Sequence, residues 1–247
     1  MRALIHSEWL KQRSTRTAIG LFVALVGLVL LAVLLHSLLP AEELGSARIQ
    51  LMLLGRGEFL GALLAALLGA LSITAEIRHG TIRPTFLFSP RRARVIAAKV
   101  SVSIAIGAGL GLVAGAVAVS AGTLALRARG IDLQVDGTDQ VLLVAGSGAA
   151  AALWAAIGVG IGALVRHQVP ALVGICGWLL FVEGLLAGDL VGLGDVGRLL
   201  PGSAAAAISG QDPGTLLEPV GGLVLLAAYA AAAALVGAFA ISRRDVE

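Results

Sequence analysis

Residues 18–35 carry no polar side chain. Extended through 39, the run is long enough to cross about 30 Å of hydrocarbon as a helix. A backbone in lipid has no water to bond, so the only single-segment solution is a helix that satisfies its own N–H and C=O groups. Similar apolar runs recur at 59–77, 95–126, 141–165, 169–187 and 220–241. The prediction is therefore an all-α integral membrane domain of six transmembrane helices over residues 1–247. Composition agrees: 58% of residues are hydrophobic and 13% charged, with a mean hydropathy of +0.96, where a soluble domain is nearer half apolar and about a quarter charged. The flank before residue 18 is basic like the start of a signal peptide. The apolar part is too long and no small-x-small cleavage site follows, so it reads as an uncleaved span. The run 95–126 exceeds what a bilayer needs and predicts a tilted or projecting helix.

Six crossings put both ends on one side, and lysine and arginine choose which. Of the 18 basic residues, Arg48, Arg56, Arg127, Arg129 and Arg198 fall in segments on the side opposite the termini. The other thirteen lie on the termini's side, six of them in or next to segment 78–94: Arg78, Arg83, Arg91, Arg92, Arg94 and Lys99. Such asymmetry predicts cytoplasmic N- and C-termini in a multi-pass protein of the plasma membrane. A sequence pI near 9.7 could suggest nucleic acid as a partner. However, the charges sit in short gaps between apolar runs rather than on a basic face with aromatic contacts, so none is expected.

Two segments differ from plain spans. In 1–17, Leu4, Ile5, Trp9 and Leu10 alternate with Arg2, Glu8, Lys11, Arg13 and Arg16, which suits a helix lying in the inner interface among lipid headgroups. Segment 188–219 is broken by glycines and by Pro201 and Pro213. It cannot span, and short helices such as 203–208 resting on the outer surface are expected. Within the spans, Gly107, Gly111 and Gly115 repeat every fourth residue, as do Gly158 and Gly162. This spacing lets helix backbones approach closely, either as ordinary packing, the commoner case, or as a moving pair.

No catalytic constellation emerges. Ser147 lies within a span, while His36 and His167 fall near opposite membrane faces, so a serine hydrolase triad cannot assemble. The four histidines (His6, His36, His79, His167) show no metal-binding spacing. Cys176 is the single cysteine and excludes an internal disulfide. No G-x-x-x-x-G-K-[ST] phosphate loop occurs, so the chain is not expected to bind ATP by that route or to be an enzyme itself. Glu183 is the one acidic residue well inside an apolar run, a costly position that marks it for function. It could face a substrate path, carry a proton or pin the outer segment by accepting hydrogen bonds; partial hydration near the outer surface is the plain alternative. Glu76 reads as the partner of Arg78, Arg83 or a basic residue of the next helix.

The most specific stretch is the segment between the second and third spans. Gly80 permits a turn, Thr81 suits an N-cap and Pro90 ends the segment. Pro84 would instead fit a helix that begins at Arg83. Between them Ile82, Phe86, Leu87 and Phe88 form an apolar cluster rimmed by arginines, such as a partner's groove would accept. The pattern Glu76-x-x-x-Gly80-Thr81, then Pro90-x-Arg92, then Lys99, resembles the corresponding loop of ABC-2 type exporter permeases. The N-terminal SEWLKQRSTRT, the later FVEGLL with Glu183, and LLPGSAAAAI with Pro201 are similar to the same proteins in high-GC Gram-positive bacteria.

That resemblance implies a permease subunit that pairs with a second permease chain, a homodimer being the simpler expectation. It also implies two ATPase subunits that carry the ATP and Mg, each docked on a coupling helix in 78–94. The first, second and fifth helices would line the substrate cavity, giving Phe22, Leu60, Leu64, Trp178 and Phe181 as wall residues. The cargo would be hydrophobic or amphipathic: a drug, antibiotic, lipid or peptide. Two other readings compete, a non-transporting membrane immunity or sensor protein and an ion-coupled transporter using Glu183.

Overall fold

In the computed structural model, residues 2–14, 16–82, 84, 92–187, 194–212 and 214–243 are described. Among them all regular structure is helical. Helix α1 is Arg2–Ser14 and α2 is Arg16–Ser37. Short helices α3 (Ala41–Leu44) and α4 (Ala47–Leu54) precede α5 (Arg56–Arg78). Then follow α6 (Arg92–Ala128), α7 (Gly137–Val165), α8 (Gln168–Gly177), a π-helical stretch Trp178–Val182 and α9 (Glu183–Ala187). A 3₁₀ turn Gly194–Leu199 leads into α10 (Pro201–Ile208), and α11 (Pro219–Arg243) ends the described chain.

Six helical stretches are long and apolar enough to cross a membrane: Ile19–Ser37, Ala47–Arg78, Ala93–Ala128, Gly137–Val165, Gln168–Leu186 and Pro219–Ser242. The second is longer than the apolar run 59–77, because α4 precedes it through a turn at Gly55. Arg48 and Gln50 in α4 and Arg56 and Gly57 beyond it interrupt the hydropathy without interrupting the helical path.

Burial separates centre from periphery. The second and fourth spans are 61% and 67% buried and the third 50%, against 17% for the first and 22% each for the fifth and sixth. Leu25, Val29 and Val33 of α2 meet Leu64, Leu68 and Leu110 of α5 and α6 in one core. Ala62, Ala66 and Ala70 of α5 join Trp154, Ile157, Ile175 and Leu226 in another. The glycine repeats explain how the central helices pack so closely. A Cβ on Gly107 or Gly111 would strike the carbonyls of Ala151 or Ser147 on α7, and one on Gly158 would strike that of Ala66 on α5. The repeats are thus filled by tight backbone contact, whose dispersion energy holds helices together in lipid, where no hydrophobic effect drives their association.

Both ends of the bundle are cross-tied. At one end Arg78 donates to Gln168 at 3.2 Å and Arg166 to the Ala240 carbonyl at 3.0 Å. At the other, Arg48 pairs with Asp212 at 3.0 Å, and Gln211 donates to buried Glu58 at 3.2 Å. Fully buried Gln50 bridges the carbonyls of Leu44 and Asp132, both at 2.9 Å, and accepts from the Gln134 amide at 2.7 Å.

Two expectations gain detail. Helix α10 is packed into the bundle: Ala204, Ala205, Ala207 and Ile208 are buried, and Gly222 of α11 lies against the Ala204 carbonyl. Its run of alanines makes it thin and apolar enough to wedge between spans. Helix α1 does not merely lie among headgroups. Trp9 and Leu10 are exposed, but Glu8 and Gln12 are buried against α6.

Candidate functional site

The site is the junction where α1 meets the ends of α5 and α6 that flank the segment 78–94. Spacing assembles it. Ser72 and Glu76 lie one turn apart on α5, as do Lys99 and Ser103 on α6, while Glu8, Lys11 and Gln12 share one face of α1. The ammonium of Lys99 is fully buried and has three donors. They meet Glu8 Oε2 at 2.7 Å, Glu76 Oε1 at 2.9 Å and the Ser72 carbonyl at 2.9 Å. Lys11 reaches the same carboxylates from the surface, Glu8 Oε1 at 2.8 Å and Glu76 Oε1 at 3.0 Å. One turn along, Gln12 Nε2 donates to Ser103 Oγ at 3.2 Å. Two lysines and two glutamates balance in charge, so the burial cost of each ion is offset by close, hydrogen-bonded partners.

The electrostatics follow from that geometry. Burial pushes the Glu8 carboxyl up, but Lys99 and Lys11 together outweigh it and hold Glu8 below its ordinary range. Burial pushes Lys11 down, while its bonds to Glu8 and Glu76 outweigh this and hold it above its ordinary value.

The junction continues directly into the turn that starts the loop. Gly80 takes φ +70°, and α5 closes with the Gly80 amide on the Ile77 carbonyl at 3.1 Å and the Thr81 amide on the Glu76 carbonyl at 3.0 Å. This is a Schellman closure, and glycine is favoured at its left-handed residue because it has no Cβ. The Thr81 hydroxyl also bonds the Glu76 carbonyl, at 3.4 Å, so these contacts of Thr81 finish α5. Pro84 is helical, and so is Ile82, one residue ahead of the start expected at Arg83. Ile82 is 1% exposed, so it is not part of an apolar tip offered outward. Pro84 is exposed. Arg83, Phe86, Leu87, Phe88, Pro90 and Arg91 lie outside the described residues, as does the Arg92 side chain at the start of α6.

Sequence reasoning offered Glu76 three kinds of partner, Arg78, Arg83 or a basic residue of the next helix; Lys99 is a residue of the last kind, and Lys11 of α1 joins it. It missed Glu8, whose signal was a lone carboxylate in an otherwise basic N-terminal segment, on the same helical face as Lys11 and Gln12. Lys99 is the most deeply buried ion of the group.

Glu183 forms a second, separate site at the other end. It accepts from Trp178 Nε1 at 3.1 Å, from the Ser203 amide at 3.0 Å and from the Gly202 amide. The π-helical stretch brings Trp178 and Glu183 together across five residues, with the Glu183 amide on the Trp178 carbonyl. Pro201 opens α10 without a donor, so Gly202 presents the first free amide, and a Cβ there would collide with the carboxylate. Of the readings open for Glu183, these contacts correspond to pinning the outer segment.

The expected cavity wall does not assemble in one chain. Leu64 is sealed in the core and Leu60 packs partly buried beside it, while Phe22 and Phe181 are exposed on the bundle's flank. Trp178 instead borders a cleft of about 590 Å³ among α7, α8, α10 and α11. Among the described residues there is no group of histidine, cysteine or carboxylate side chains able to hold a metal ion. No protein-family model matches the chain, and no curated protein sequence matches it.

Proposed function

We propose that this chain is the membrane-spanning subunit of an ATP-driven exporter of the ABC-2 type. Two copies would pair in a bacterial plasma membrane, termini in the cytoplasm, with two separate ATPase subunits that bind and hydrolyse ATP with Mg. The chain's own part is mechanical: it receives a push at segment 78–94 and moves a hydrophobic or amphipathic molecule outward.

The observation that carries this reading is the Lys99 junction. A force applied to the loop reaches α5 and α6 at their ends, and buried Lys99 ties both to α1 through contacts of 2.7–2.9 Å. Three elements then respond as one lever rather than as three independent helices. Buried ion groups are seldom the cheapest way to stabilise a protein, and their best-attested use is to fix register between elements. A lever of this kind has no evident use in an immunity or sensor protein that only binds. The contacts of Glu183 favour a structural role over carrying an ion.

Replacing both Phe86 and Leu87 by glutamate tests the docking surface. The expected result is loss of a co-purifying ATPase from a chain that keeps its elution profile and helical content. An ATPase that stays bound to the doubly charged variant would overturn the assignment of the loop.

A further inference from the structure

Helix α1 has a face that the Lys99 junction leaves unused. Its buried side is fixed by Glu8 on Lys99 and, four residues on, by Gln12 on Ser103, itself four residues beyond Lys99. The two helices therefore run in the same direction, and the start of α1 lies toward segment 78–94. Depth follows from α5. Between Arg56 and Glu76, the charged residues near its two ends, it rises about 30 Å, the thickness of a hydrocarbon core. The turn of α1 that reaches Glu76 through Lys11 thus stands at one edge of the hydrocarbon. From Leu10 back to Arg2, α1 rises about 12 Å away from that edge.

A helix lying flat on a membrane separates charge from apolar surface around its axis. On the exposed face of α1 the two separate along the axis instead. Trp9 and Leu10, 41% and 51% exposed, stand at the hydrocarbon edge. His6 and Arg2, both exposed, follow one and two turns further out. That is the order of a phospholipid, acyl chains inward and phosphate outward.

Charge then selects among phospholipids. Among the described residues, both carboxylates at this end, Glu8 and Glu76, are taken up by the junction's lysines, and little of either is exposed. Arg2, Arg78 and Arg94 are exposed at the same end. A surface that shows cations and hides its carboxylates attracts a headgroup of net negative charge over a zwitterionic one.

We propose that the exposed face of α1 binds an anionic phospholipid, its phosphate on the Arg2 guanidinium and the His6 imidazole and its chains beside Trp9 and Leu10. Arginine suits this part because its planar fork can give two N–H groups to one phosphate. Since the opposite side of α1 carries Glu8, a lipid on this face also holds α1 against Lys99. The proposal rests on the bundle crossing a membrane and not on export or on an ATPase.

The test is native mass spectrometry of the full chain, titrated in detergent with phosphatidylglycerol or with phosphatidylcholine of identical chains. One basic side chain at a charged surface is worth roughly fivefold, so phosphatidylglycerol should bind at least about fivefold more tightly. Arg2→Gln with His6→Gln, both at exposed positions, should bring the two lipids within about twofold of each other. Arg2→Lys with His6→Lys should keep the preference, and Trp9→Ser with Leu10→Ser should weaken both lipids alike. Hydrogen exchange in nanodiscs should show α1 slowed when phosphatidylglycerol replaces phosphatidylcholine, and unaffected by that exchange of lipids in the double glutamine variant. Equal binding of the two lipids by the wild type overturns the proposal, whether or not any variant folds. So does a preference that survives in the double glutamine variant or is lost only from Arg78→Gln with Arg94→Gln. Displacement of the bound lipid by inorganic phosphate would overturn it too, by making the site one for a free anion.

Discussion

Lys99 and Lys11 hold the same two carboxylates under opposite conditions, one with 1% and the other with 44% of its side chain exposed. Their removal should therefore differ sharply. Lys99→Met leaves buried Glu8 and partly buried Glu76 without their main partner and is expected to cost about 3–5 kcal/mol. Lys11→Met breaks a screened contact and should cost no more than about 1 kcal/mol. Reversible unfolding in mild detergent measures both, and equal losses would show that the cluster is not buried as described. The pH dependence has a definite sign. Glu8 is held below its ordinary value of 4.5, so its stabilising contribution is present above that value and is lost as pH falls through the lower, folded one. The stability difference between the wild type and Glu8→Gln should thus stay constant from neutral pH to about 5 and shrink below about 4. A difference unchanged down to about pH 3 would contradict the ion pairing.

Among elements, the close pairs and the outer pin make separate demands. Gly111 lies against the Ser147 carbonyl of α7, so Gly111→Leu must force α6 and α7 apart, at a cost of about 1–3 kcal/mol or more. Gly109, two residues away, has open space where a Cβ would stand, and Gly109→Leu should leave thermal stability almost unchanged. Glu183→Ala frees two amides at the start of α10 and the Trp178 indole. Bonds to a charged acceptor are worth about 1.5–3 kcal/mol each, and the expected readout is faster hydrogen exchange confined to α10 and its neighbours. Exchange unchanged there would mean that α10 is held by packing alone. The contrast between Gly109 and Gly111 shows what the sequence can and cannot express. A four-residue glycine repeat signals close approach in general, but the partner on the other side belongs to the fold.

At the scale of the molecule, hydropathy made six spans legible and local residue chemistry the turn at Gly80, because both depend on neighbouring residues. Three features stayed hidden for physical reasons. The N-terminal extension of the second span through α4 contains Arg48 and Gln50, whose partners are Asp212 and the carbonyls of Leu44 and Asp132, 82 or more residues away in two of the three cases. Glu8 looked like one charge of an interfacial helix until α6 supplied Lys99. Ile82 read as one of the loop's apolar cluster, with nothing to set it apart as buried. The first two depend on contacts between segments far apart in the chain, which no local pattern carries. That Glu76 could pair with the next helix was readable as one of three options because Glu76 and Lys99 flank the same loop; the choice of Lys99 belongs to the fold.

The central claim is that this bundle is the driven half of a two-component machine, with the Lys99 junction carrying force from the loop into the membrane. Affinity purification of the tagged wild-type chain from its native membranes, in a detergent that preserves complexes, addresses this most directly. The account predicts a stoichiometric companion that hydrolyses ATP and that is retained by Lys11→Met. A chain that purifies alone, folded and with its full thermal stability, would contradict it.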